Sequence, residues 1–237
     1  MTQQGAHRAT MQVMRQLETV SVVEALEDEL ARGILDGEFA AGEHLREIEL
    51  SEQYQVGRHT LRAAFDGLVR RGLLQRARNR GVFVRQFTQQ DMAQIYELRT
   101  ALEVQAFRTL AARRTVPAAA REAIARYRTL NSRSPRRLVV EADLAFHRAI
   151  VVATGNPRLV RVHEDLQAEI ELCLAQLAQS YAKVRELAAQ HGELLEAIES
   201  GRPAKAEDAI RGHLENATAW LIEHVASPQA APAPSSP

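Results

Sequence analysis

The spacing of apolar residues changes along this chain, and the change limits the folds open to it. From Val20 to Leu35, the residues Val23, Leu26, Leu30 and Ile34 recur at intervals of three and four, the period of a helix with one buried face. Gly37 ends that segment and Gly42 marks a turn. Arg46 to Tyr54 is a short helical stretch, Gln55-Val56-Gly57 a tight turn, and Arg58 to Arg71 a second helix with Leu61, Ala64, Phe65 and Leu68 on one side. Gly72 closes it. The period then falls from 3.6 to 2: Leu73 to Arg76 and Val82 to Arg85 are strand candidates, connected through Ala77 to Gly81 as a hairpin. From Thr88 to about Ser227 the pattern is helical again. Breaks at Pro117, Asn131 to Pro135, Gly155-Asn156-Pro157, near Ser180 and at Gly201-Arg202-Pro203 imply about six helices there.

The predicted fold class is mainly α: an N-terminal winged helix-turn-helix of three helices and a small β-hairpin wing, then an all-α bundle of about six helices. The expected divisions are an N-terminal arm over 1–17, the winged domain over 18–87, the helical domain over 88–226 and a disordered tail over 227–237. The tail is rich in Pro, Ala and Ser and cannot offset the entropy of folding. With 237 residues, 46% of them hydrophobic, the chain has material for two ordinary cores. No apolar run reaches the ~18 residues of a membrane span. The polar start, Met1 to Arg15, lacks the apolar stretch of a signal peptide. The single cysteine, Cys173, excludes an intramolecular disulfide and reads as core filler. A cytoplasmic protein with no membrane partner is expected.

The formal net charge is zero, but the charge is unevenly placed. Between Gly57 and Arg85 lie Arg58, Arg62, Arg70, Arg71, Arg76, Arg78, Arg80 and Arg85, opposed only by Asp66. Such a block is either a solvated basic face or the footprint of a polyanion. Its position decides for the second: in a helix-turn-helix the second helix enters the major groove and its first residues meet base edges. That helix begins Arg58-His59-Thr60-Leu61-Arg62. Arg58 and Arg62 share a face, and an arginine can donate two hydrogen bonds to guanine, worth ~1–3 kcal/mol of discrimination. His59 and Thr60 can reach bases or phosphates. Arg78, Asn79, Arg80 and Gly81 form the wing tip, and Arg46 opens the preceding helix. Arg70 and Arg71 read better as residues that solvate a helix end. Single-stranded RNA is disfavoured, because the block has only Phe65 and Phe83 for stacking and both read as buried.

In the helical domain, Asp143 and His147 are one turn apart and face the same way as Val139, Phe146 and Ile150. His191 shares a stripe with Leu187, Leu194, Leu195 and Ile198, and His213 one with Ala209, Ile210, Asn216 and Trp220. One inward Asp and three inward His from three helices can form a first-row metal site, although each histidine alone also fits a core position. His163 has no equivalent partner in the pattern and reads as a core residue. Arg99 lies on a stripe with Ile95, Leu102 and Ala106. It either holds an anionic effector bidentately or pairs with Glu103 one turn on. Asn216, next to His213, is a second candidate for lining an effector pocket.

The segment Gly37 to Glu47, the helix Gly57 to Phe65, and Leu68 through Gly72-Leu73-Leu74 to Asn79-Arg80-Gly81-Val82-Phe83-Val84 resemble the GntR-type winged helix. The family usually has Ser or Thr at Gly57, Pro at Thr60 and Glu at Ala63, so the operator sequence stays open. From about Asp91 to Ala226 the chain resembles the FCD domain of the FadR-type branch. The carriers are Tyr96-Glu97-Leu98-Arg99 with Leu102-Glu103, Asp143-Leu144-Ala145-Phe146-His147, Gly155-Asn156-Pro157, His191 to Ile198, and His213. The resemblance implies a homodimeric transcriptional regulator, a repressor by the commoner logic, that binds a pseudo-palindromic double-stranded operator. It also implies a divalent metal (zinc, nickel or manganese) on Asp143, His147, His191 and His213, with a small carboxylate effector against it. Two alternatives stand beside it: a helical domain that only dimerises around a structural metal, and a metal-dependent enzyme. Against the enzyme, no His-Glu-x-x-His motif occurs, and Leu144, Ala188 and Ile210 stand three before the histidines where a di-iron bundle needs Glu.

Overall fold

A computed structural model describes residues 21–176 and 184–225 of the chain. The predicted arm, the tail and the break near Ser180 lie outside these residues. Helix α1 (Val22–Asp36) starts at a capping box: the Ser21 hydroxyl accepts from the Val23 amide, and Glu24 accepts from the Ser21 amide. Such caps contribute about 0.5–2 kcal/mol. Helix α2 (Glu47–Gln53) and helix α3 (Arg58–Arg70) follow, with Leu26, Leu30, Ile34, Leu50, Leu61, Phe65 and Leu68 forming their shared apolar centre.

The wing is larger than the expected hairpin. Strand β1 (His44–Leu45) joins β2 (Leu74–Ala77) and β3 (Gly81–Val84) in a three-stranded antiparallel sheet of order β1-β3-β2. Leu45 pairs with Val82, and Leu74 with Val84, so these side chains line the face that covers the helices. His44 and Gln75 both pair with Phe83 on the other face. Two residues are too few to show a period of two, which is why the sequence reads β1 as loop.

The helical half comprises α4 (Gln89–Arg113), α5 (Ala118–Thr129), α6 (Arg136–Ala153), α7 (Pro157–Gln176), α8 (Val184–Glu199) and α9 (Pro203–His224). Thr88 and Asp91 form a second capping box where α4 begins. The boundaries fall at the predicted Pro and Gly breaks: Pro117 caps α5, Pro157 opens α7 and Pro203 opens α9. Helix α4 runs through the centre, packed against α9, α6, α7 and α8. One apolar core continues from α1 through the sheet to Phe87, Met92 and the bundle. Helix α7 touches α1, and Arg85 beyond β3 pairs with Glu169 at 2.8 Å, so the two halves meet along α7. Cys173 is buried, and burial pushes its thiol well above the ordinary value, in keeping with a packing role.

Candidate nucleic-acid interface and metal centre

Gly57 caps α3 without a side-chain hydrogen bond, so the first amides of the helix stay open. Arg58 and His59 are exposed and Thr60 half-buried. Arg62 is exposed but engaged: its Nε donates to Glu47 Oε2 on α2 at 2.7 Å. Arg46 caps α2 and pairs with Glu49 at 3.0 Å. Arg71 approaches Glu27 and Asp28 on α1 at 3.8 and 3.7 Å, so it braces the helical core, in line with its reading as a helix-end residue.

At the wing tip, Arg78 and Arg80 are exposed, Asn79 has φ 60 and Gly81 φ 100. A Cβ on Gly81 would lie 2.5 Å from His44 Nε2, so backbone conformation and space both demand glycine there. His44 stacks on Phe83 with centroids 4.7 Å apart, and the Arg80 guanidinium lies 5.7 Å from the same ring. Phe83 is therefore only half-buried, contrary to the expectation that it sits in the core: it points to the open face of the sheet. The sequence reading missed His44, because its neighbour in space is set by the unexpected β1–β3 pairing.

The structure brings together the side chains of Asp143 and His147 on α6, His191 on α8 and His213 on α9. One ligand atom from each lies within 4.8 Å of all the others. His191 Nδ1 meets the Leu187 carbonyl at 2.7 Å. A carbonyl only accepts, so Nδ1 carries the proton and the Nε2 lone pair faces the cluster. His147 Nδ1 meets Glu103 Oε2 at 2.5 Å, which leaves its Nε2 facing the same way. The two Nε2 atoms are 3.3 Å apart, and His191 Nε2 is 3.1 Å from Asp143 Oδ1. The His213 ring lies over that of His147 at 5.4 Å and next to that of His191 at 4.9 Å.

Burial alone would raise the Asp143 carboxyl. When His191 also carries a proton on Nε2, its hydrogen bond to Asp143 and the charges of His147, His191 and Arg99 outweigh burial and hold the carboxyl well below the ordinary value. Burial pushes His147 down against the pull of Glu103. Burial also pushes His213 far down, reinforced by His191 and His147. With both imidazoles neutral and protonated on Nδ1, the set presents only acceptors, and a divalent cation can take the place of a proton shared between His191 and Asp143. His147 and His191 are buried, whereas Asp143 and His213 are partly open, so the cluster has a covered side and an accessible one.

Arg99 is buried on α4. Its Nε donates to Glu103 Oε1 at 2.7 Å and its Nη1 to the Tyr96 hydroxyl at 3.1 Å. Its Nη2 has no hydrogen-bond partner and lies 3.8 Å from Asp143 Oδ2. The pair with Glu103 therefore exists, and one edge of the fork remains turned to the cluster.

One placement differs from expectation. Asn216 is exposed on α9. Ala206, Ile210, Leu214 and Leu221 are the buried positions of that helix, and His213 borders their stripe. At about 100° per residue, Asn216 falls about 60° further out than His213, so the chain does not bring it to the cluster. His163, read as a core residue, is buried, with Nε2 3.4 Å from Glu103 Oε1. Glu103 itself was missed as part of the site. The inward stripe of α4 runs through Arg99, Glu103 and Ala106, while Leu102 is only half-buried. A charged residue one turn from Arg99 on that stripe was the signal.

Comparison with known proteins assigns a family to each half. The profile of the FCD domain family matches residues 94–216, and that of the bacterial regulatory proteins of the gntR family matches 21–84. A Paenarthrobacter nicotinovorans protein named "Probable D-xylose utilization operon transcriptional repressor" is 29% identical over 84% of this chain and 88% of its own. Two solved structures share the fold. A GntR-type regulator of Rhodococcus sp. RHA1 has a TM-score of 0.71 at 23% identity, covering 85% of this chain and 97% of that one. McbR/YncC of E. coli has 0.70 at 21%, covering 86% and 98%. These families and relatives are regulators rather than enzymes, and no helix among the described residues is long and apolar enough to cross a membrane. The chain belongs to the GntR family of bacterial transcriptional regulators and is a DNA-binding regulator with an FCD domain.

Proposed function

We propose that this regulator is a repressor whose operator affinity is set by a small carboxylate bound beside a divalent metal in the helical domain (88–226). The observation that carries the reading is the meeting of Asp143, His147, His191 and His213, whose ligand atoms lie within 4.8 Å of one another, with the Nδ1 atoms of His147 and His191 turned away to acceptors. Asp143, His147, His191 and His213 would hold zinc, nickel or manganese, which would act as a Lewis acid toward the effector carboxylate. Arg99 would take the carboxylate's charge with its unpartnered Nη2, an arrangement that favours a sensor over a closed structural site. The exposure of Asn216 removes support for its place in the effector pocket.

In the winged domain (18–87), Arg58, His59, Thr60 and Arg62 would read the major groove. Arg46 would contact the backbone, and Arg78, Arg80 and Gly81 would set the wing against DNA. A cytoplasmic homodimer would present two such surfaces to a pseudo-palindromic site. The effector shifts DNA affinity only as far as it binds the two arrangements of the dimer differently.

Two measurements test this. Elemental analysis of the purified protein is expected to find near-stoichiometric metal, lost in His191→Ala with the helical signal kept. Thermal shift against small carboxylates is then expected to respond to one acid only in the metal-loaded protein. Full metal occupancy in His191→Ala removes that residue from the site. No metal, and no shift by any acid after zinc, nickel or manganese is restored, overturns the sensor reading. Arg58→Ala is expected to lower operator affinity by about 1–3 kcal/mol and relax sequence preference in anisotropy titrations.

A further inference from the structure

We infer that Glu103 is the positioning residue of the metal cluster: it fixes His147 in the Nδ1–H form and so aims the Nε2 lone pair of that ring at His191 and Asp143. This rests on the proposed metal site. Glu103 is completely buried, and a carboxylate in such a place needs donors on both oxygens. The ion pair with Arg99 would satisfy the charge by itself, yet it uses mainly Oε1, at 2.7 Å from Arg99 Nε. Oε2 is spent on His147, a residue of another helix, at 2.5 Å. An ionised carboxylate only accepts, and an imidazole that donates from Nδ1 can offer only Nε2 to a metal.

The two facing histidines are held by different means. A backbone carbonyl of its own helix, that of Leu187, sets His191. His147 depends on a side chain from α4, so a single substitution can reverse its polarity. Arg99, tied to the same carboxylate through Nε, also makes a longer ion pair with Asp143, Nη2 to Oδ2 3.8 Å. His163 Nε2, 3.4 Å from Oε1, adds a contact from α7.

Glu103→Gln changes this logic with almost no change of shape. Arg99 can only donate, so the amide oxygen must turn to Arg99 and the NH2 to His147. His147 Nδ1 must then accept, its proton moves to Nε2, and the lone pair is lost from the cluster. The expected result is zinc affinity lower by about 10- to 100-fold in chelator competition, with the helical content of the full-length protein unchanged. Long-range 15N–1H spectra of the imidazoles, taken on metal-free wild-type protein, are expected to show His147 protonated on Nδ1. In Glu103→Gln they should show it on Nε2. An Nε2–H form in the wild type overturns the assignment whether or not the variant folds, and so does an unchanged zinc affinity in a folded variant. A wild type that binds no zinc overturns the sensor reading instead, and the nitrogen spectra still decide the role of Glu103.

Discussion

The two halves of this molecule treat charge in opposite ways. Among the described residues, the buried polar and charged side chains are Arg99, Glu103, His147, Thr154, His163 and His191, all in the helical half. Residues 21–87 bury apolar side chains and, apart from Arg85 where the halves meet, keep their arginines largely in water, in exposed pairs such as Arg62–Glu47, Arg46–Glu49 and Arg76–Asp66. The difference follows from what each half would bind. A duplex is read from outside, by charges that exchange a neighbouring carboxylate for a phosphate at little cost, since exposed pairs are worth about 0–1 kcal/mol. A single small anion offers few contacts, and each must be strong, which requires a site withdrawn from water.

The largest effect that would break this comparison is the loss of a buried cation. Arg99→Met leaves Glu103 without its main partner inside the protein. It is expected to lower folding stability by about 3–5 kcal/mol in urea denaturation, against under about 1 kcal/mol for Arg62→Met. Equal losses at the two positions would mean that the helical half is as solvated as the winged one.

Acidity gives a smaller effect. Burial holds both His147 and His213 below the ordinary histidine value of 6.5. In the unfolded chain they take up protons near that value; in the folded chain they resist. The unfolded state therefore binds more protons as pH falls, and metal-free protein loses stability below about pH 6.5, by up to about 1.4 kcal/mol per pH unit for each histidine. Glu103 and Asp143 are held low, so their contribution is intact above the ordinary carboxylate range and lost only in stronger acid. The urea midpoint of the metal-free protein is expected to fall between pH 7.5 and 5.5. A flat profile would mean that the cluster takes up protons as readily as the unfolded chain.

How much of this was legible in the sequence follows the same division. Long periodic segments fixed by propensity, breaks and caps could be read residue by residue, and so could Asp143, His147, His191 and His213, because each faces inward on its own helix. What escaped depends on contacts between elements. Strand β1 is defined by its pairing with Phe83 and Val82, Glu103 by a histidine 44 residues away, and the exposure of Asn216 by how α9 is rotated against α4. Periodicity says which face is buried; it does not say what a buried polar atom meets there.

The smallest expected effect concerns the exchange of one carboxylate for a phosphate. Glu47 Oε2 accepts from Arg62 Nε at 2.7 Å, with the arginine side chain 62% exposed and the glutamate 26%. For Arg62 to reach DNA it must leave Glu47, whose charge also repels the phosphates nearby. Glu47→Gln should therefore change stability by less than about 1 kcal/mol, since it removes one exposed pair and one acid from the first turn of α2. Operator affinity should rise by several-fold as Arg62 is freed for DNA, and if it meets a phosphate the plot of log affinity against log salt should steepen by about one counterion. The shift should appear equally on operator and unrelated DNA if Arg62 meets the backbone, and mainly on operator if it meets a base. Unchanged affinity and slope would place Arg62 outside the interface and leave it as a structural brace between α2 and α3. The winged half would then hold at least one arginine for the same reason the helical half holds Arg99, to satisfy a carboxylate of its own.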